Sequence, residues 1–154
     1  MNTQGETIVP AEYDKIGAFQ DGLALAVYRN QDTNFESFYQ FVDNKGGVKI
    51  KLDTQYIEVR HFNEKRSIIR TREGYGCIDV NGDVVIEPQY AFMSNYLYGK
   101  AFFQTKDTIL YGVVDTAGQI LLAPSLTADE FHRFDLKTSL EKQPDGTFKR
   151  IDAE

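Results

Sequence analysis

The sequence predicts an all-β array. Tandem three-stranded antiparallel units of about 36 residues stack into one curved sheet or array, open or closed, with a C-terminal capping segment. Three observations carry this prediction. Tyr39-Gln-Phe-Val-Asp43-Asn-Lys-Gly46, Tyr75-Gly-Cys-Ile-Asp79-Val-Asn-Gly82 and Tyr111-Gly-Val-Val-Asp115-Thr-Ala-Gly118 share one pattern, with aspartates 36 residues apart both times. A second motif recurs in phase, aligning Tyr13, Ile16 and Phe19 with Tyr56, Val59 and Phe62 and with Tyr90, Met93 and Tyr96. Apolar runs of strand length separate these motifs, ending at Pro88 and Pro124 in two of the copies.

Each unit begins with the Tyr-Gly-x-Φ-Asp strand. The following Asp-x-x-Gly is hairpin chemistry: the aspartate side chain accepts backbone N–H groups, and the glycine tolerates the positive φ of a bulged turn. The second strand is clearest in Val48-Lys-Ile50-Lys-Leu52, which alternates aliphatic and charged residues. Its counterparts Val84-Val-Ile86 and Ile120-Leu-Leu122 are apolar throughout, which predicts cover on both faces. Pro88 and Pro124 are expected to end these strands, because proline cannot donate to a ladder. Aromatic, aliphatic and aromatic residues at steps of three then predict a short helical or 3₁₀ turn. Tyr13, Tyr56 and Tyr90, with Ile16, Val59, Met93, Phe19, Phe62 and Tyr96, form the predicted core. A third strand follows: Leu23-Ala-Leu-Ala-Val27, Ser67-Ile-Ile-Arg-Thr71 or Ala101-Phe-Phe-Gln-Thr105. The reading is one domain, 1–154, with a partial unit at 5–30, units at 39–72, 75–107 and 111–124, and a cap at 125–154. In the cap, Thr127-Ala-Asp-Glu130 is a capping box opening a helix, and Pro144-Asp-Gly146 is a turn between short strands.

The recurring Tyr-Gly-x-Φ-Asp-x-x-Gly, the apolar strand ending in proline, the turn tyrosine and Phe19-x-x-Gly22-Leu-Ala24 resemble WG β-repeats, also called KWG repeats, a bacterial family. The likeness spans roughly residues 5 to 124. It implies a β-repeat array used for interaction or envelope-associated roles, with no shared catalytic centre. The signature tryptophan is Tyr39, Tyr75 or Tyr111 here, and Gln40 stands at one signature glycine.

Composition excludes several classes. At 154 residues and 42% hydrophobic the chain carries enough apolar surface for a packed domain. The N-terminus shows neither a basic start nor an apolar run, so no signal peptide is read, and no segment approaches a membrane span. One cysteine permits no internal disulfide and fits a reducing, cytoplasmic setting. His61 aligns with Ala18 and Asn95, a tolerant surface slot, and His132 is remote from it in sequence. Cys77 aligns with Phe41 and Val113, a core slot where a thiol serves as a small hydrophobe. The aspartates belong to turns. No metal ligand set, phosphate loop, cofactor motif or catalytic constellation is present, and the chain reads as non-enzymatic.

Function is sought where the repeat is broken. The connection over 28–38 is longer than its counterparts and carries Asp32, Phe35, Glu36 and Phe38. Phe92 stands where the other copies have Lys15 and Glu58, and Tyr98 where they have Asp21 and Glu64. These six residues are the candidate partner-binding set, with a dimer contact or burial under the C-terminal tail as competing explanations for the aromatics. Charge is uneven: residues 1–44 carry −5, residues 45–72 carry +5 and residues 73–154 carry −6. Lys49, Lys51, Arg70 and Arg72 form a candidate basic stripe. The acidic flanks and the lack of a recognition module argue against nucleic acid. The resulting expectation is a protein-binding module whose partner is a protein, such as a basic toxin domain neutralised in the manner of an immunity protein. A self-assembling structural array is the alternative, and an enzyme with an unrecognised site is a third reading. The sequence leaves the oligomeric state open.

Overall fold

The computed structural model describes residues 15–30, 36–53 and 55–150. Strands β1 (Lys15–Ile16), β2 (Ala24–Asn30), β3 (Glu36–Val42) and β4 (Val48–Lys51) pair in that order as an antiparallel sheet. A second sheet comprises β5 (Glu58–Val59), β6 (Arg66–Thr71), β7 (Gly74–Asp79) and β8 (Val84–Tyr90). The third comprises β9 (Phe92–Met93), β10 (Lys100–Gln104), β11 (Tyr111–Asp115) and β12 (Ile120–Leu126). Helix α1 (Ala128–Arg133) and the hairpin of β13 (Leu140–Lys142) and β14 (Phe148–Arg150) follow.

The fold is an all-β repeat array, but its sheets are separate layers and each has four strands. The fourth strand comes from the aromatic turn. Its N–H groups bond across to the neighbouring strand, as Ile57 N–H does to the Arg70 carbonyl and Arg60 N–H to that of Ile68. The steps of three are therefore not helical. Layer boundaries also fall inside the sequence units, so the 39–72 unit begins in the first sheet and ends in the second.

Side-chain alternation explains how the layers stack. Neighbouring strand residues face opposite ways. Leu25, Phe41 and Ile50 of the first sheet pack against Val59, Phe62, Ile69 and Ile78 of the second. Ile68, Cys77 and Ile86 of the second pack in the same way against Met93, Tyr96, Phe103 and Val114 of the third. The middle sheet is covered on both faces, which is why its inner strands are apolar without alternation. Each aromatic turn docks on the layer before it, with the Phe62 ring 4.6 Å from that of Phe41.

This direction of docking corrects two predicted core residues. Ile16 and Phe19 are each 42% exposed, and among the described residues no earlier sheet lies against their turn, although Ala24, Ala26 and Val42 of the same sheet are fully buried. Tyr56 is half-buried, Tyr13 lies outside the described residues, and the other five predicted core positions are buried. Val84 and Ile120 are exposed as well, since β8 and β12 are edge strands and start at the rim.

Pro88 and Pro124 do not end their strands. They sit inside β8 and β12 at bulges, where the register between partners shifts. The bulge pushes its backbone against the neighbouring strand at the glycine of Tyr-Gly. A methyl group on Gly112 would fall 2.6 Å from the Leu122 carbonyl oxygen, and Gly76 faces the Ile86 carbonyl in the same way. In the first sheet Leu52 stands at the proline position, and Gln40 pairs with Lys51 in the regular ladder preceding it. Gln40 is thus tolerated where the proline is missing.

The aspartate hairpins are built as predicted. Asp43 Oδ1 accepts the N–H groups of Lys45 and Gly47, and Asp79 and Asp115 do the same two and four residues on. The N–H of Gly47, then that of Lys45, holds the Asp43 carboxyl below the usual carboxylate range. A depressed folded pKa means this turn is fully supported above about pH 4 and loses that support as pH falls through the folded value. Acid titration followed by circular dichroism should therefore show a steeper loss of stability for the wild type than for Asp43→Asn.

A second set of turns links the layers. Asp21-Gly22, Glu64-Lys65 and Tyr98-Gly99 all have positive φ at both residues, the signature of two-residue type I′ hairpins. Asp21 accepts the N–H of Lys65 in the next layer at 2.8 Å, and Glu64 accepts that of Gly99 at 2.7 Å. The carboxylates make a ladder along the stack. Lys65, at φ 63°, occupies a slot held elsewhere by glycine. Lys65→Gly is expected to raise stability by about 1 kcal/mol by relieving the left-handed strain, measured by urea unfolding.

At the far end, α1 opens on the predicted capping box of Thr127 and Glu130. Phe131 and Phe134 lie on Phe102, and Arg150 of β14 bonds Glu130. The cap covers the exposed face of the third sheet.

Candidate functional site

The ladder explains why the acid slot is empty in the third copy. Asp21 and Glu64 each serve the turn of a following layer, and among the described residues no such turn follows Tyr98. Released from that task, the slot carries an aromatic side chain that is 53% exposed. Leu97 beside it is also 53% exposed, where the other copies have Gln20 and Asn63. Two large apolar side chains thus stand at the tip of a tight hairpin. Lys100 Nζ bonds the Tyr98 carbonyl oxygen at 3.3 Å, and Lys137 Nζ sits 5.5 Å from the Tyr98 ring centre, within reach of its π face. The tip is therefore apolar with a cationic border. Leu97 escaped sequence reasoning, although the alignment that singled out Tyr98 contains it.

The remaining candidates divide. Phe92 is half-buried and meets Tyr111 and Phe131 edge-on, with ring centres 5.7 and 6.1 Å apart. It belongs under the cap, so it is not the free aromatic that was expected. Asp32 and Phe35 lie outside the described residues, as does the side chain of Glu36. Phe38 is half-buried in β3. The basic residues are not gathered into one stripe. Lys49 and Lys51 are on edge strand β4, with Lys49 paired to Asp43 at 3.6 Å. Arg70 is on inner strand β6 of the next sheet, paired to Glu58 at 3.4 Å and lying over the Tyr75 ring, with exposed Arg72 in the turn beyond.

An open cleft of about 570 Å³ runs along the turn face, lined by Gln20, Arg60, His61, Asn63 and Asn95 and by the apolar Leu25, Val59 and Phe62 among others. It is formed by the variable slots of successive copies. The His61 ring lies against Gly17, where any side chain would collide with it, and Arg60 bonds the Met93 carbonyl at 3.0 Å. Arg60 and Asn95 thereby join the second and third layers. His132 is exposed on α1. Cys77 is fully buried, and burial raises its thiol pKa despite the Tyr96 hydroxyl beside it. The native protein is expected to resist thiol reagents at neutral pH and to label only as fast as it opens, a test made by timed alkylation and mass measurement. Among the described residues no group of three or more His, Cys, Asp or Glu is arranged to hold a metal, and no helix is long and apolar enough to cross a membrane.

The layer repeat, the aspartate hairpins and the Gly–Pro bulges are the structural form of the motif read in the sequence. The profile of the family described as WG containing repeat matches residues 1–30 and 75–108. Over these two segments the chain is similar to WG repeats. The unmatched stretch between them holds the copy in which Gln40 and Leu52 replace the glycine and the proline. No curated protein matches the chain.

Proposed function

We propose that this protein, similar to WG repeats over part of its length, is a non-enzymatic binding module that docks a partner protein through the Leu97–Tyr98 hairpin tip. The carrying observation is the pair of half-exposed apolar side chains on a two-residue turn held at φ 55° and 74°. A rigid aromatic anchor loses little conformational freedom on binding, and such residues dominate interface energetics. A deeply buried thiol, and polar turn groups engaged in layer contacts, support a scaffold rather than a reaction centre. The finer reading is an immunity-type protein that blocks a toxin. Its support is the net charge of −6, which favours encounter with a basic partner.

The test uses the double variant Leu97→Asn and Tyr98→Asp, residue types that the equivalent turns already carry. The partner is captured from lysate with the wild type, identified, and titrated against both proteins. Unchanged melting with affinity reduced about 30-fold or more supports the site. Equal affinity, or unfolding of the variant, removes it. Co-expression with the captured partner then decides the immunity reading: wild type should relieve growth arrest, and a partner that arrests nothing refutes that refinement.

A further inference from the structure

We propose that the cleft between β12 and the β13–β14 hairpin docks an acidic turn of a partner protein. This site adjoins the Leu97–Tyr98 tip through Gly99 and Lys100 and does not depend on it. It lies where the joints inside the stack seat the aspartate turn of the following layer.

In those joints the turn glycine closes against an isoleucine of the sheet before. A methyl group on Gly82 would fall 3.1 Å from the Ile50 side chain, and one on Gly118 the same distance from that of Ile86. Gly118 also approaches the Val85 carbonyl oxygen, 3.6 Å from such a methyl group. A cation completes the second joint: Arg66 Nε donates to the Thr116 carbonyl of the seated turn at 2.8 Å. Ile50 and Ile86 are each 5% exposed beneath these turns.

The third sheet repeats the seat without filling it. By alignment Lys100 stands in the Arg66 slot, with Leu121 and Leu122 in those of Val85 and Ile86. The β13–β14 hairpin brings a turn of the same geometry. Gly146 N–H bonds the Gln143 carbonyl and Gln143 N–H that of Thr147, as Gly118 and Asp115 do with their own partners. This glycine is not seated. Beyond the adjoining residues no atom lies within 4 Å of a methyl group on Gly146, and Leu122 is only half-buried. An open cleft of about 710 Å³ remains between sheet and hairpin, lined by Lys100, Ile120, Leu121, Lys142, Gly146 and Phe148 among others.

The lining selects the occupant. Among the described residues Lys142 makes no ion pair, and the Lys100 ammonium bonds the Tyr98 carbonyl and no carboxylate. The one acid in the lining, Asp115, already accepts the Ala117 and Gln119 N–H groups. Residues 137–150 hold Lys137, Lys142, Lys149 and Arg150 against Glu141 and Asp145, a net +2 in a chain of −6. The overall charge governs approach, whereas these lysines act at contact, inside a Debye length of about 8 Å. Carboxylates complement the two lysines, and an apolar side chain complements Phe148 and Ile120, which is 54% exposed. A turn matches the seat, since the joints inside the stack fill it with the turns of Asp79 and Asp115.

The probe is a phage-displayed library of random short peptides, selected on the full-length protein. Enriched sequences should carry Asp or Glu close to Leu, Ile or Phe. One of them is then synthesised with a fluorescent label and titrated by anisotropy. Lys100→Glu with Lys142→Glu should weaken it by about tenfold or more. A peptide with its acids changed to lysine should regain affinity for that variant. Lys45→Glu with Lys106→Glu alters net charge equally on exposed residues away from the cleft, and should leave affinity within about twofold. The proposal is overturned by no enrichment, by enriched sequences without acids, or by equal losses for the two lysine pairs. Equal affinity for wild type and the cleft variant overturns it too, as does no recovery with the reversed peptide. If the charge-reversed cleft variant unfolds, Lys100→Gln with Lys142→Gln takes its place: weakened binding supports the site, and unchanged binding removes it.

Discussion

Phe62→Ala is expected to lower the free energy of unfolding by about 3–5 kcal/mol, the cost of emptying a well-packed aromatic site. Phe62 is 2% exposed and sits between two sheets, in contact with the Phe41 ring. Its loss opens a cavity at the joint between layers, where strand backbones on both sides limit collapse. The equivalent Phe19→Ala is expected to cost less than about 1 kcal/mol, as for other partly exposed positions. The two substitutions are chemically identical and occupy the same place in the repeat. Paired urea unfolding curves therefore measure what the preceding layer contributes. Similar losses for the two would show that Phe19 is covered as Phe62 is.

Gly76→Ala should be nearly as damaging, at about 3 kcal/mol, because overpacking here meets backbone rather than a movable side chain. The added methyl group would run into the Ile86 carbonyl and the Glu87–Pro88 peptide at the bulge. Relief requires β7 and β8 to separate, at the expense of ladder hydrogen bonds. Gln40→Gly should behave oppositely. With no bulge beside it, Gln40 gains nothing from losing its side chain, and glycine weakens a strand by roughly 0.5–1 kcal/mol. If Gly76→Ala proves neutral in thermal and urea unfolding, the bulge is not what holds glycine at this position.

Much of the architecture was legible because it repeats. The 36-residue interval, the aspartate turns, the capping box and the last hairpin are local patterns, set by backbone chemistry within a few residues. Cys77 was readable as core by comparison with Phe41 and Val113. The fourth strand was not legible, since Glu58–Val59 and Phe92–Met93 are too short for a periodicity and pair only because a longer strand lies alongside. The prolines misled for a related reason. A missing N–H ends a strand only if the ladder needs it, and at an edge-strand bulge it does not.

The candidate site was less legible than the fold. Tyr98 was visible as a departure from the repeat, but its meaning depends on the carboxylate ladder, which joins residues 35 and 44 apart through backbone N–H groups that no side-chain pattern reveals. Phe92 departed from the repeat just as plainly and turned out to lie beneath Phe131. The two differ only in what the cap covers. By itself the sequence determined the all-β class, the turn chemistry and which positions are equivalent, because these follow from residue types at fixed spacing. Tertiary structure alone decided which equivalent positions are equally buried. Burial of an aromatic turn depends on the layer before it, and exposure of a forward face depends on the layer after it. The first and last copies therefore carry the same motif as the middle one in different surroundings.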